Sequence, residues 1–128
     1  MAGGRGLDDP HLPTPALIDA YGNGGFRFAG MSHRGSLLCF PDGIWAWPVS
    51  SLAELNAQTL SPAFARAEVL DFFLIGGGVD PWVLPEALRV RFREASLPVD
   101  VMPTGAAVRT YNILLAENRR VGAGLIAV

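Results

Sequence analysis

The sequence predicts an α/β fold, in which a single three-layer domain has a mixed central β-sheet flanked by helices. Strand and helix patterns alternate over the second half of the chain, which is typical of a βαβαβ-like unit with right-handed crossovers. Short strand patterns separated by turn residues fill the first half, and these favour N-terminal β-hairpins. The run 69–75 is almost entirely apolar, as expected of a central strand covered on both faces.

The chain length and its first residues predict the domain boundaries. The chain has 128 residues, which suits one domain and allows a core without disulfides. Residues 1–15 are rich in Gly, Pro and Asp and have no periodicity, so we expect a flexible lead-in. A single α/β domain is then expected over residues 16–128.

The first hairpin is predicted on either side of a Gly-Asn-Gly turn. The strand patterns are "ALIDAYG" at 16–22 and "GFRFAG" at 25–30. Asn and Gly favour the backbone conformations of tight turns. Phe26 and Phe28 alternate with Arg27, which predicts one buried and one exposed face.

The second hairpin is predicted across Pro-Asp-Gly. "SLLCF" at 36–40 precedes this turn and "IWAWPV" at 44–49 follows it, and Asp-Gly favours a tight hairpin turn. Trp45 and Trp47 share one face of the second strand. This pattern favours packing in the core under a helix or a second sheet, and an exposed pair that binds a partner is the alternative.

The remaining elements follow from helix-start residues and apolar spacing. Ser61 before Pro62 indicates a short helix, because Pro is favoured in the first helical turn. Leu84, Leu88 and Phe92 follow helical spacing. The predicted order is a helix from Ser61, a strand at 69–75, a helix over 85–96, a strand over 97–102, a helix over 104–120 and a strand over 121–128.

Composition excludes several kinds of site. All ten basic residues are Arg, so neither a Schiff-base lysine nor a P-loop lysine is available. The net charge of −2 with scattered basic residues indicates no nucleic-acid partner. Cys39 is the single cysteine and its neighbours are apolar, which favours a buried thiol over a nucleophile. His11 and His33 lack metal-ligand spacing, so we expect no metal and no cofactor.

Hydropathy indicates a chain that does not span a membrane. Its longest apolar runs are strand-sized, well below the ~20 residues that a transmembrane helix needs. The N-terminus has no apolar segment of the secretory type. We therefore expect a soluble, cytoplasmic protein, and the sequence leaves its oligomeric state open.

The candidate ligand site lies where two Gly-containing turns follow predicted strands. Ligands of open α/β sheets gather beyond the carboxyl ends of the strands, and a helix N-terminus attracts anions. Glycine also allows close approach of a ligand to the backbone. Packing in tight turns is the alternative role for these glycines. The candidate ligand-binding residues are Gly76, Gly77, Gly78, Thr104, Gly105 and Arg109, and Thr104 is also a candidate helix cap.

The predicted helix over 104–120 has a buried side and a polar side. Thr104, Ala107 and Tyr111 share the spacing of a buried stripe, which places the Tyr111 ring in the core with its hydroxyl in need of a polar partner. Glu117 and Arg120 are three residues apart and are predicted to pair. The polar side otherwise carries Arg109, Asn112 and Arg119.

No catalytic constellation is evident in the sequence. There is no GxSxG nucleophile elbow and no pair of carboxylates close in sequence that resembles an acid–base dyad. The catalytic residues are therefore unknown, and the lack of a recognisable catalytic motif favours a protein that is not an enzyme.

The segment Thr104 to Val121, "T-x-x-A-x-R-T-Y-N-x-L-x-x-E-x-R-R-V", resembles the Mth938-like domain family of unknown molecular function. "IDAYGNGGFRFAG", "GSLLCFPDGIWAWPV" and "LIGGG" are similar to further family segments, so the resemblance covers about residues 16 to 127. Tyr111, Asn112, Glu117, Arg119 and Arg120 form the structural signature. Val108 stands where many members have Cys, and Gly77 where many have Thr.

The resemblance implies a three-layer α/β fold and a protein partner. Eukaryotic members of the family include mitochondrial complex I assembly factor three and an adipogenesis-associated protein. The leading hypothesis is a non-enzymatic protein-binding, assembly-assisting factor whose partner is a respiratory or membrane-associated complex. The alternatives are a small-molecule or anion-binding protein, or an enzyme, that uses the glycine-turn rim, and a purely structural oligomeric domain with Trp45 and Trp47 at a subunit contact.

Overall fold

A computed structural model describes residues 9–128 and confirms the mixed α/β architecture. The strands are β1 (Ile18–Gly22), β2 (Gly25–Phe28), β3 (Met31–Arg34), β4 (Ser36–Phe40), β5 (Gly43–Trp47), β6 (Phe72–Gly76), β7 (Val99–Met102) and β8 (Val121–Leu125). The helices are α1 (Ser61–Ala65), α2 (Glu86–Glu94) and α3 (Thr104–Ala116), and a short 3-10 turn spans Leu52–Glu54.

The main sheet has five strands in the order β5-β4-β8-β6-β7. β4 pairs antiparallel with both β5 and β8, whereas β6 pairs parallel with both β7 and β8. The predicted hairpin and the predicted βαβαβ unit therefore join in one mixed sheet. β6 lies between two neighbours, as its apolar run predicts, and the last strand of the chain takes the middle position.

Apolar side chains are buried on both faces of the main sheet. Along β4, Leu37 and Cys39 face one cluster with α3 and the small sheet, and Leu38 and Phe40 face the other with α1 and α2. This division follows from the period-two geometry of a strand. The result is three layers, and each face of the sheet has its own hydrophobic core.

Trp45 and Trp47 belong to the core and are not an exposed pair. Only 7% of Trp45 and 4% of Trp47 is accessible to solvent, and both pack in the cluster that contains α1 and α2. The Trp47 indole N–H donates to the Thr59 carbonyl at 3.0 Å. The core interpretation is therefore confirmed, and neither ring is available for a contact with another subunit.

The small sheet contains a strand that the sequence analysis did not predict. β1, β2 and β3 form an antiparallel sheet, and β3 pairs with β2 from Phe28 opposite Met31 to Gly25 opposite Arg34. "MSHR" lacks an apolar alternation, so its strand state depends on pairing with β2. Ala29 and Gly30 both have positive φ in the connecting turn, a conformation suited to a two-residue hairpin.

Helix α3 ends at Ala116, so the prediction of a helix through Arg120 was wrong at its last turn. Asn118 adopts a φ of 62°, which interrupts the helix. The Arg119 N–H donates to the Leu114 carbonyl at 3.0 Å and the Asn118 N–H to the Leu115 carbonyl at 2.9 Å. These bonds form a Schellman cap, in which Asn takes the left-handed position that Gly usually occupies.

The two arginines after α3 bind Asp71, which directly precedes β6. Arg120 donates to Asp71 from both its guanidinium and its backbone N–H at 3.0 Å, and Arg119 lies 3.8 Å away. The hydrogen bonds from Arg120 lower the pKa of the Asp71 carboxyl. Among residues 9–128 the observed partner of Arg120 is therefore Asp71 and not the predicted Glu117.

Part of the predicted N-terminal lead-in, residues 1–8, lies outside the described residues. In the described part, the His11 N–H donates to the Ile44 carbonyl at 2.9 Å, and Leu12 exchanges backbone hydrogen bonds with Ile44. Residues 11–12 thus pair with β5.

Candidate functional site

The two Gly-containing turns meet at one edge of the main sheet. Gly76 ends β6 directly opposite Met102 at the end of the parallel strand β7. The Gly78 N–H donates to the Thr104 hydroxyl at 2.9 Å, and the Thr104 N–H donates to the Gly78 carbonyl at 2.8 Å. These reciprocal bonds join the turn after β6 to the start of α3.

Thr104 connects three segments from a fully buried position. Besides accepting from Gly78, its hydroxyl donates to the Ile126 carbonyl at 2.8 Å. It does not cap α3, because Pro103 occupies the N-cap position and no side chain bonds the first turn. The prediction of a Thr104 cap was therefore wrong. The hydroxyl satisfies backbone groups of the loop after β6 and of the segment after β8.

Gly76 and Gly77 lie beneath the surface of this edge and pack closely. A Cβ at Gly76 would lie 3.1 Å from atoms of Ala107, Leu125 and Thr104. The Gly77 N–H donates to the Met102 carbonyl at 2.9 Å. Both glycines are buried in the structure, where they allow β6 to approach its neighbours closely.

The other three candidate residues line an open groove of about 340 Å³, here called the rim groove. Gly78 has a φ of 100°, a conformation that other residues rarely adopt, and contributes the floor beside the exposed Val79. Arg109 reaches the groove from the second turn of α3. The complete lining is Tyr21, Gly78, Val79, Pro103, Gly105, Ala106, Arg109 and Val128. The structure thus brings Gly78, Gly105 and Arg109 together and leaves Gly76, Gly77 and Thr104 below them.

Tyr21 covers the beginning of α3, a position that the sequence analysis did not assign to the site. A Cβ at Gly105 would overlap the Tyr21 hydroxyl, so the ring lies directly against the helix backbone. The ring remains 43% exposed. A side chain at 105 would therefore displace the Tyr21 ring, which forms one wall of the rim groove.

A second groove of about 380 Å³, here called the hairpin groove, lies on the small sheet. Its ten lining residues belong to β1–β3 and the turn between β1 and β2. Arg27 pairs with Ser32 and Gly25 with Arg34, so Arg27 and Arg34 lie on the same outward face of the sheet. Tyr21 lines both grooves, and the two grooves therefore adjoin at β1.

His33 lines the hairpin groove, and the His11 ring packs against it. The ring centroids of His11 and His33 are 4.9 Å apart. Burial, followed by the charge of His11, lowers the pKa of His33, which favours the neutral ring. Within residues 9–128 no group of three His, Cys, Asp or Glu side chains is arranged to hold a metal ion. The lasting positive charge of this groove comes from Arg27 and Arg34.

Asn112 joins α3 to β1 through its side-chain amide. Its Oδ1 accepts from the Ile18 N–H at 2.8 Å and its Nδ2 donates to the Ile18 carbonyl at 2.9 Å. The amide thus forms the two hydrogen bonds that the backbone of a neighbouring strand would form with Ile18 at the edge of the small sheet. This signature residue has a structural role, and it fixes β1 so that Tyr21 reaches the rim groove.

We expect Asn112→Asp to lower the free energy of unfolding by about 1–3 kcal/mol, because a carboxylate cannot donate to the Ile18 carbonyl and leaves it unpaired. Urea denaturation monitored by circular dichroism measures the change. Gln58→Glu makes the same change from amide to acid at an exposed site and serves as the control. Equal stability of the two variants would show that the bonds between Asn112 and Ile18 contribute little.

Tyr111 and Cys39 contact each other in the core between α3 and the main sheet. Burial raises the pKa of the Cys39 thiol from 9.0 to about 12, so the thiol stays protonated at neutral pH. Burial also raises the pKa of Tyr111, and the neighbouring thiol adds to this shift. Among the described residues the Tyr111 hydroxyl has no hydrogen-bond partner of good geometry. Tyr111 is thus in the core as predicted, but without a partner that satisfies its hydroxyl.

A family profile described as "Protein of unknown function (DUF498/DUF598)" matches residues 18–126. A crystal structure from Bartonella henselae, named as an outer membrane protein, has a TM-score of 0.88 at 49% identity and covers 92% of this chain and 99% of its own. An NMR structure from Bordetella pertussis, named as an Mth938-like domain, has a TM-score of 0.75 at 27% identity, covering 93% of this chain and 89% of that one. These matches confirm the fold that the sequence predicted.

Curated relatives include an uncharacterized bacterial protein and assembly factors that have longer chains. An uncharacterized protein of Rhodobacter capsulatus is 40% identical over 92% of this chain and 90% of its own. NADH dehydrogenase [ubiquinone] 1 alpha subcomplex assembly factor 3 of Drosophila melanogaster is 29% identical over 86% of this chain. The match spans only 58% of the length of that assembly factor.

Within residues 9–128 no helix is both long and apolar enough to cross a membrane.

Proposed function

The chain belongs to the DUF498/DUF598 family of proteins of unknown function, and on this premise we propose that it is a non-enzymatic protein-binding factor that assists assembly of a respiratory complex. The observation that carries the proposal is the similarity to proteins named as complex I assembly factors, which extends over 85–90% of this chain. The partner is then a protein, and a respiratory or membrane-associated complex is the class expected.

The rim groove has surface properties that suit a protein contact. Tyr21 and Val79 are exposed large apolar residues, and Arg109 lies beside them. Aromatic residues and arginine are enriched where protein partners meet. The groove is also shallow and open, as expected for a surface that receives a side chain or a loop of another protein. We therefore assign the binding role to the rim groove.

A cytoplasmic location is part of the proposal. The relative from Bartonella henselae is named as an outer membrane protein, so the two locations need a direct test. Cell fractionation with antibody detection decides between the two locations. Recovery in the outer-membrane fraction would contradict the cytoplasmic assignment without affecting the assignment of the rim groove.

The proposal predicts that Val79→Glu abolishes capture of a partner. An affinity-tagged chain expressed in Rhodobacter capsulatus should retain subunits of the respiratory complex in a native pull-down analysed by mass spectrometry. A carboxylate on the groove wall should remove this retention, because an apolar contact is replaced by a solvated charge. Val83→Glu is the matched control, since both valines are exposed, by 75% and 77%, and only Val79 lines the groove.

Two results would count against this proposal. The first is a pull-down with the unaltered chain that recovers no reproducible respiratory subunit. The second is equal retention by the two glutamate variants, which would move the binding role away from the rim groove while leaving a role in assembly in place.

A second candidate function is the binding of a small anion in the rim groove. The observation that favours it is Arg109, which is exposed beside the first turn of a 13-residue helix and forms no ion pair within the described residues. The N-terminal N–H groups of a helix attract negative charge. Small carboxylates and phosphates are the chemical classes that this arrangement would bind.

We expect a bound anion to raise the melting temperature, and Arg109→Ala to abolish the rise. A ligand at about a hundred times its dissociation constant stabilises the folded state by roughly 2.7 kcal/mol. Differential scanning fluorimetry with phosphate, citrate and nucleotide panels measures the shift. Arg89→Ala, on α2, is the control, because that side chain pairs with Glu86 away from the groove. A panel without any shift in the unaltered protein would exclude the anions tested.

A further inference from the structure

Three arginines differ from the others in their surroundings. Among residues 9–128, five arginines form ion pairs with carboxylates, namely Arg66, Arg89, Arg93, Arg119 and Arg120. Arg91 lies 5.2 Å from the centre of the Phe64 ring. The remaining three described arginines, Arg27, Arg34 and Arg109, are exposed and form no ion pair with another described residue.

All three of these arginines line the two adjoining grooves. Arg109 contributes to the rim groove, and Arg27 and Arg34 contribute to the hairpin groove. Tyr21 lines both, so the two grooves that carry these arginines meet at the β1 strand. Three of the four described arginines without an ion pair therefore line these two grooves.

No Asp or Glu side chain lines either groove. Asp19 and Asp80 are adjacent in sequence to lining residues, but neither contributes to a groove wall. The chain as a whole has a net charge of −2. The grooves are thus a positive region on a protein of negative net charge, and this arrangement favours an approaching group of negative charge.

We propose that the rim groove and the hairpin groove together form a docking surface for an acidic segment of a protein partner. An apolar side chain of that segment packs between Tyr21 and Val79, and its carboxylates bind the three arginines. Arginine suits this role because its planar guanidinium pairs with a carboxylate through two hydrogen bonds. This inference rests on the proposed protein-binding function and adds the chemistry of the partner.

The character of the surface favours a protein segment over a nucleic acid or a lipid membrane. Polyanions bind through many phosphate contacts, whereas only three arginines line the two grooves. Tyr21 and Val79 also present exposed apolar surface in the rim groove. A chain of alternating acidic and apolar residues complements both features.

The test uses a random peptide library displayed on phage, panned against the full-length protein at about 0.1 M salt, where charges remain effective over roughly 10 Å. We expect the enriched peptides to combine Asp or Glu with aromatic or aliphatic residues. A synthetic enriched peptide is then compared by fluorescence polarisation with its counterpart in which every acid is replaced by the corresponding amide. We expect the amide counterpart to bind about tenfold more weakly.

A triple variant tests whether the rim groove and the hairpin groove form the binding surface. R27E/R34E/R109E should weaken binding of the acidic peptide by about tenfold or more, whereas R89E/R93E on α2 should leave it unchanged. Both variants are first shown to melt cooperatively. Enrichment of neutral or basic peptides, or equal binding by the unaltered protein and the triple variant, would overturn the inference. Binding to phosphatidylglycerol vesicles or single-stranded DNA without binding to the acidic peptide would overturn it as well.

The native pull-down separates failure of this inference from failure of the proposed function. If the triple variant still retains the respiratory subunits that the unaltered chain retains, the assembly role stands and the acidic docking surface is wrong. If the unaltered chain retains no subunit, the assembly role itself fails. An acidic peptide bound through the three arginines would in that case still support a peptide-binding surface.

Discussion

Replacing Tyr111 by alanine is expected to lower the free energy of unfolding by about 3–5 kcal/mol, the usual cost of removing a large aromatic side chain from a core. Tyr111 is fully buried between α3 and the main sheet, in the cluster that also contains Cys39, Leu74 and Ala123. The surrounding strands cannot collapse into the space without disturbing the sheet. Chemical denaturation monitored by circular dichroism measures the loss.

The matched change Tyr111→Phe separates the ring from its hydroxyl. The hydroxyl is buried beside a thiol and lacks a hydrogen-bond partner of good geometry, so its removal relieves an unsatisfied polar group. We expect Tyr111→Phe to be as stable as the unaltered protein or more stable. A loss of more than about 1 kcal/mol in the phenylalanine variant would show that the contact with Cys39 is a real hydrogen bond.

Replacing Thr104 by valine is expected to cost roughly 2–6 kcal/mol, since two backbone groups lose their partner at once. The Gly78 N–H donates to the Thr104 hydroxyl, and the hydroxyl donates to the Ile126 carbonyl. Valine has nearly the same shape, so the change removes the hydrogen bonds with little effect on packing. Denaturation curves measure the cost, and hydrogen exchange at Gly78 should become faster.

Thr104→Ser is the control for the valine change. Serine keeps the hydroxyl and removes one methyl group, which costs about 1 kcal/mol when the site is buried. A valine variant as stable as the serine variant would show that water satisfies Gly78 and Ile126 in place of Thr104. That result would also reopen a direct role for the threonine in ligand binding, because the side chain would then be dispensable for the fold.

Local sequence predicted most of the elements because their patterns are short-range. The alternation of Phe26 and Phe28 and the hairpin of β4 and β5 appear in the structure as expected. The strand predicted over 69–75 instead begins at Phe72, because the residues before it form a turn. β3 was missed because "MSHR" has no apolar alternation and is extended through its pairing with β2. The end of α3 was missed because Asn118 adopts a left-handed conformation that its neighbours do not reveal.

The two Gly-containing turns meet at one edge of the sheet, as the sequence predicts, but only three of the six candidate residues line the groove there. Gly78, Gly105 and Arg109 line one groove, and the binding role of the six candidate residues stays a prediction. Tyr21 could not be found from sequence, because it reaches the rim groove from β1, which is distant along the chain from both Gly-containing turns. The weak signal available was an exposed aromatic residue next to the Gly-Asn-Gly turn.

The sequence by itself determined the class of this protein. Apolar periodicity and turn residues specify a mixed α/β domain, and the "T-Y-N" and "E-x-R-R" segments indicate the family. These features depend on neighbours within a few residues or on direct likeness to other chains. They also locate the edge of the sheet where the two glycine turns meet.

Only the tertiary structure decided what the signature residues do. Asn112 pairs with the backbone of Ile18, and Arg120 pairs with Asp71, so both have structural roles that no spacing reveals. It also placed β8 in the middle of the sheet and brought Arg27, Arg34 and Arg109 to two grooves that share Tyr21. The physical reason is that side-chain pairing depends on which distant segments lie side by side in the sheet. Local sequence patterns do not determine that strand order.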